Sequence, residues 1–215
     1  MHNIIKSLEL IVLGITFPIC IVYLQLSKYI ILFLWSIFLY TLLITLVLYT
    51  KEISLQKSLR LNFKKNKKYI SFILARWLFL SLLLYFFTKI YYPDKLFFIQ
   101  ENNPTLLYKI FLLYPFLSAY PQEYIFCSFF FNRYRSLFKN DNILILMSAI
   151  IFCFAHIFSI NIVAPILSFI GGLIFAYTFK KTGSLLVVSI EHALYGNTLF
   201  FLGLGWFFWG GSVSN

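Results

Sequence analysis

The chain has 215 residues, of which 61% are hydrophobic, 21% aromatic and 12% charged, with a formal net charge of +11 and a mean hydropathy of +0.86. A water-soluble domain of that make-up could not cover its own surface, which excludes a cytosolic enzyme and a disordered chain. The positive charge does not argue for nucleic acid either, because it is gathered in clusters between long apolar runs.

Those runs lie at residues 8–27, 29–50, 70–92, 106–132, 142–160, 162–179 and 184–205. Each is about the 20 residues that a helix needs to cross a bilayer, so the fold class is all-α, a polytopic membrane bundle of about seven transmembrane helices. Lys6 precedes the first run, Lys51 to Lys68 follow the second, Arg133, Arg135 and Lys139 follow the fourth, and Lys180 and Lys181 follow the sixth. On an alternating path all four clusters fall on one side, which places the N-terminus inside and the C-terminus outside. The opposite loops carry little beyond Lys28 and Lys95. The basic loop 51–69 reads as a topology anchor touching anionic lipid. Residues 20–28 offer no pair of small residues for a signal peptidase, so the first run is expected to stay as an anchor. Trp206 to Trp209, followed by Gly210 and Gly211, form an interfacial end. Cys20, Cys127 and Cys153 lie within apolar runs, where disulfide bonding is not expected. The bundle divides into a three-helix portion, 1–104, and a four-helix portion, 105–215, within one integral unit.

Ionisable groups near a bilayer centre cost about 2.5–3.5 kcal/mol even on the lenient insertion scale, so they mark function. Glu9, Lys89 and Lys109 lie near helix ends, and Arg76 is two turns deep and can snorkel. Glu123, His156, Glu191 and His192 cannot escape so easily. From a rise of 1.5 Å per residue, Glu123 lies about 15 Å from the cytoplasmic boundary, His156 about 21 Å and His192 about 12 Å. Three helices thus bring polar groups to a similar level. Pro121 frees the carbonyl of Leu117, which supports a hydrated pocket at Glu123, a simple packing kink being the alternative. Cys127, one turn from Glu123, reads as a small packing residue. In the sixth run Ser168, Gly172 and Ala176 recur every four residues and form a smooth face for a neighbouring helix.

Residues 122–127 read Gln-Glu-Tyr-Ile-Phe-Cys, residues 152–156 read Phe-Cys-Phe-Ala-His, and residues 192–197 read His-Ala-Leu-Tyr-Gly-Asn. In this order they resemble the CPBP family of intramembrane proteases, which includes the Rce-type CAAX prenyl endopeptidases and the bacterial Abi and bacteriocin-processing relatives. The family carries Glu-Glu-x-x-x-Arg on one helix, Phe-x-x-x-His on the next, and a His followed by Asn on a later one. Here Gln122 replaces the first Glu, Cys127 replaces the Arg, and Asn197 follows His192 by five residues instead of the usual four. Five residues turn an ideal helix by about 140°, so both would face one pocket only through a local bulge at Gly196.

The resemblance implies an intramembrane endopeptidase in which glutamate-activated water attacks a peptide bond. The implied catalytic residues are Glu123 and His156 for water activation and His192 and Asn197 for the oxyanion, with Arg76 or Arg133 balancing Glu123 in place of the missing Arg. The alternative is a catalytically inactive relative acting as a binding or immunity-type membrane protein, which the substitutions at Gln122 and Cys127 favour. A proton-coupled transporter would also place Glu and His at mid-membrane, but it predicts paired halves, and the first three runs hold no counterpart. No cofactor is expected. Zinc on two His and one or two Glu is the rival mechanism, and spacing does not decide it. Expected partners are a peptide or membrane-protein substrate and the lipid bilayer, with no nucleic acid. The expected location is a bacterial inner membrane, spanned several times.

Overall fold

The computed structural model describes residues 2–48 and 63–208. Helix α1 runs from His2–Ile11 through a π-helical stretch, Val12–Thr16, into Phe17–Tyr23. Helix α2 is Ile30–Leu48 and α3 is Phe63–Tyr91. A short α4, Phe98–Asn102, leads into α5 at residues 104–134. Helices α6 (Asp141–Phe154), α7 (Val163–Thr182) and α8 (Leu185–Phe201) complete the bundle. No strand occurs among the described residues.

Each of the seven apolar runs becomes helix, because in lipid only a helix or a closed barrel satisfies its own backbone. Among the described residues, five helical segments are long and apolar enough to cross a membrane: Asn3–Tyr23, Ser27–Leu48, Lys68–Tyr91, Asp141–Ser159 and Val163–Thr182. The other two runs differ from the simple expectation. Helix α5 is divided by π-helical stretches at Pro115–Ala119 and Tyr124–Phe129, and α8 has only 17 residues. The basic loop 51–69 falls largely outside the described residues, as do Trp209, Gly210 and Gly211.

Helices α2 and α3 bury little of themselves inside the protein, whereas α6 and α7 are the most buried of the five apolar segments. The pair α6 and α7 packs so closely because of the small-residue face foreseen in α7. Ser168, Gly172 and Ala176 are all buried, and a Cβ on Gly172 would stand 2.9 Å from the Ala149 Cα of α6. Gly172→Val is accordingly expected to force the two helices apart and to cost about 1–3 kcal/mol, read as a lower unfolding temperature in detergent.

Charges sort to the two ends of the bundle. At one end Lys6 donates to Ser136 at 3.0 Å, Arg135 and Lys180 both pair with Asp141, and Arg133 pairs with Glu9 at 2.6 Å. Glu9 therefore does not reach outward as its place near a helix end suggested; its side chain is buried against Arg133 and Tyr134. At the other end the Lys95 ammonium lies 3.6 Å from the centre of the Trp206 ring, and Tyr92 packs edge-on to Phe207 at 4.8 Å.

Candidate active site

Helix α5 carries the first polar group to the centre. Asn103 caps its start by accepting from the Leu106 amide, and Pro104 takes the first helical position, where a missing N–H costs nothing. Pro115 and Pro121 lie inside the helix. Each removes a backbone donor, and the chain answers with wider π-helical turns instead of a break. The Leu117 carbonyl, whose i+4 donor Pro121 removes, accepts the indole N–H of Trp35 at 3.1 Å. The neighbouring helix α2 satisfies it.

Glu123 is 1% exposed, and both its carboxylate oxygens are engaged. Oε1 lies 2.7 Å from Nδ1 of His192 on α8, and Oε2 accepts from the Cys127 thiol at 3.0 Å. A carboxylate can only accept, so the His192 proton belongs on Nδ1 and leaves Nε2 free to accept. Nε2 lies 2.9 Å from the Tyr114 hydroxyl. The His192 ring is stacked on Phe175 at 4.5 Å and 15°, which holds its plane.

His156 does not touch Glu123. It lies just past the end of α6, where the helix tightens into the turn Ile157–Ser159. Its Nδ1 stands 2.8 Å from the Phe152 carbonyl, an acceptor, so the proton sits on Nδ1 and Nε2 carries the lone pair. Phe152 separates the two imidazoles, its ring 4.7 Å from His156 and 5.7 Å from His192. The two histidine rings therefore lie within the sum of those distances of each other.

Both histidines line one cavity of about 1060 Å³ to which all seven long helices contribute. Its wall is mainly apolar, with Tyr114, Ser118, Gln122, His156 and His192 among the polar exceptions. That is the usual character of a ligand site, apolar with a few convergent polar groups. Glu123 stands behind His192, outside the lining. Gln122, where the family pattern has its first Glu, faces the cavity instead; its amide donates to Ser118 at 2.7 Å, and its Oε1 accepts nothing from the described residues.

Asn197 is not brought to the cavity wall. Helix α8 runs through Gly196 without a bulge, so the five-residue offset rotates Asn197 away from His192, and its Oδ1 is buried without a partner among the described residues. The cations proposed to balance Glu123 also go elsewhere. Arg76 pairs with Glu191 at 2.5 Å and donates to Thr178 at 2.9 Å, and Arg133 pairs with Glu9. Glu191 follows from helix geometry: one residue before His192 it is turned about 100° away, toward α3 and α7.

Tyr114 is the residue that sequence reasoning missed. A signal was present, because Tyr114, Ser118 and Gln122 recur every four residues through an otherwise apolar run, a polar stripe on one face. Among the described residues no group of three or more His, Cys, Asp and Glu side chains is arranged to hold a metal ion.

Residues 104–198 match the model of the Rce1-like family, the type II CAAX prenyl endopeptidases. Over this stretch, which is somewhat less than half of the chain, the protein is similar to that family. The match covers α5 to α8, the elements that carry Glu123, His156, His192 and Asn197, and leaves α1 to α4 outside it. The family is one of proteases, and the apolar helices make the chain a membrane protein whose second half is CAAX-protease-like. Comparison with curated proteins gives no match, and comparison with solved structures gives none.

Proposed function

We propose that the protein is an intramembrane endopeptidase in which Glu123 drives water activation through His192. The observation that carries this reading is the 2.7 Å contact between the Glu123 carboxylate and His192 Nδ1, with His192 and Tyr114, the partner of its far nitrogen, both lining the cavity. A carboxylate behind an imidazole fixes its tautomer and stabilises the imidazolium that forms when Nε2 takes a proton. In the reaction His192 Nε2 accepts a proton from water as the water oxygen bonds to the scissile carbonyl carbon. The carbonyl π pair moves to its oxygen. When the tetrahedral species collapses, the C–N bond breaks and His192 returns the proton to the leaving amine. His156, with its own Nε2 as acceptor, holds the second hydrogen of that water. Asn197 has no part in this scheme.

The substrate is a peptide or a membrane-associated protein segment, as the apolar lining of the cavity favours. Seven helices cross the bilayer in this proposal, with the Lys6, 133–139 and 180–181 cluster inside and the Lys95 and Trp206 end outside; a bacterial inner membrane suits that charge pattern. Helix α8 spans about 25 Å, a little short of the bilayer core.

The second reading, an inactive relative that binds a peptide or membrane partner, is favoured by one observation: the residue facing the cavity in the first motif is the amide Gln122, and the carboxylate is sealed behind a ring. Purified protein in lipid vesicles, incubated with a library of apolar peptides, separates the two. Cleavage by the wild type that disappears in His192→Ala supports the peptidase; peptide binding without cleavage by either protein supports the binder. A chelator is expected to leave cleavage unchanged, and loss of activity restored by zinc would replace this mechanism with a metal-assisted one.

A further inference from the structure

Resting on the peptidase reading, we propose that Tyr114 is a catalytic residue whose phenol donates the hydrogen bond that stabilises the oxyanion, in place of the amide the family carries one helical turn after its histidine. That position, four residues after His192, is Gly196. The space beside it belongs to Tyr114: a Cβ built on Gly196 would overlap Cε1, Cζ and the hydroxyl oxygen of the tyrosine ring. Glycine is thus required at 196 so that a side chain from another helix, α5, can lie against α8 there.

The phenol is held in place before any substrate arrives. Its hydroxyl is 2.9 Å from His192 Nε2, and its ring packs edge-on to Phe200 at 5.6 Å. The π-helical stretch that begins at Pro115 follows directly, the kind of irregular turn that re-aims side chains at sites. Asn197, the other amide available on α8, does not line the cavity, whereas Tyr114 does.

In the resting site the hydroxyl donates to His192 Nε2. As a peptide enters, water takes that place at Nε2, and the hydroxyl turns its proton to the carbonyl oxygen. The O–H bond of the tyrosine is not broken. It donates a hydrogen bond to the oxygen that gains the π pair and is restored to Nε2 when the carbonyl reforms. Oxyanion donors of this sort act mainly on kcat, because they strengthen as charge develops.

The test compares cleavage kinetics in vesicles for the wild type, Tyr114→Phe, Tyr114→Ala, Tyr114→Ala with Gly196→Asn, and the control Glu123→Gln. Tyr114→Phe is expected to lower kcat by about 10²–10³ with KM little changed and the unfolding temperature retained. Adding Gly196→Asn to Tyr114→Ala is expected to regain at least about tenfold in kcat, since the amide then occupies the space the ring has left. Tyr114→Phe within about threefold of the wild type, while Glu123→Gln is silent, overturns this inference and leaves the peptidase reading standing. A wild type as silent as Glu123→Gln overturns both.

Discussion

Replacing Glu123 by Gln is expected to lower kcat for peptide cleavage by about 10³–10⁴ while the protein still folds. The amide preserves the size of the side chain and can still accept from His192 Nδ1, so the buried contact survives in shape. What it loses is charge. A neutral amide cannot stabilise the imidazolium that appears when Nε2 takes a proton, and its NH2 group can turn toward the ring and favour the wrong tautomer. The measurement is cleavage rate against unfolding temperature for wild type and variant in the same lipid. Glu123→Gln with activity within tenfold of the wild type would remove the carboxylate from the mechanism.

The second large effect concerns the pair formed by Arg76 and Glu191. Glu191 is fully buried and Arg76 partly exposed, their contact is 2.5 Å, and Thr178 receives a further bond from the guanidinium. Arg76→Met leaves a carboxylate with no cation in an apolar interior, and it is expected to cost about 3–5 kcal/mol. Glu191→Leu is expected to cost less, because a partly exposed Arg can swing its head group outward along its apolar stem. The double variant is expected to recover most of the loss, since a well-packed apolar pair of similar volume often matches a buried ion pair. Thermal unfolding of the four proteins in one detergent reads the cycle. Equal losses in both single variants, carried additively into the double, would show that the two side chains do not act as a pair.

Much of the architecture was legible from hydropathy and charge. Seven apolar runs became helix at nearly their expected places, because the membrane allows the backbone few alternatives. The small-residue face of α7 was equally readable: spacing by four on a helix places Ser168, Gly172 and Ala176 in one line, and the structure packs α6 there. Less legible was the fourth run, where two prolines and two π-helical stretches alter the register that simple helix counting assumes.

The candidate site was half legible. Depth counting brought Glu123 and His192 to one level, and they do touch. It could not say which of two histidines the carboxylate would take, since that depends on the rotation of α8 and on where α6 ends. His156 falls beyond that end and turns back to its own helix carbonyl. Nor could spacing reveal the partners of Arg76 and Arg133, whose choices of Glu191 and Glu9 depend on which helices are neighbours. Those pairs join residues 115 and 124 positions apart in the chain.

From composition, periodicity and motif spacing alone came an all-helical membrane protein, its CPBP resemblance, and the short list of polar groups too costly to be incidental. The helices and the polar groups are properties of single segments that local hydropathy and helical pitch are enough to state, and the resemblance rests on the residues of three short motifs. Only the tertiary structure decided that Glu123 sits behind His192, that Gln122 faces the cavity, and that a tyrosine from α5 lies on Gly196. Each of those depends on the rotation and contact of separate helices, which no single stretch of chain encodes.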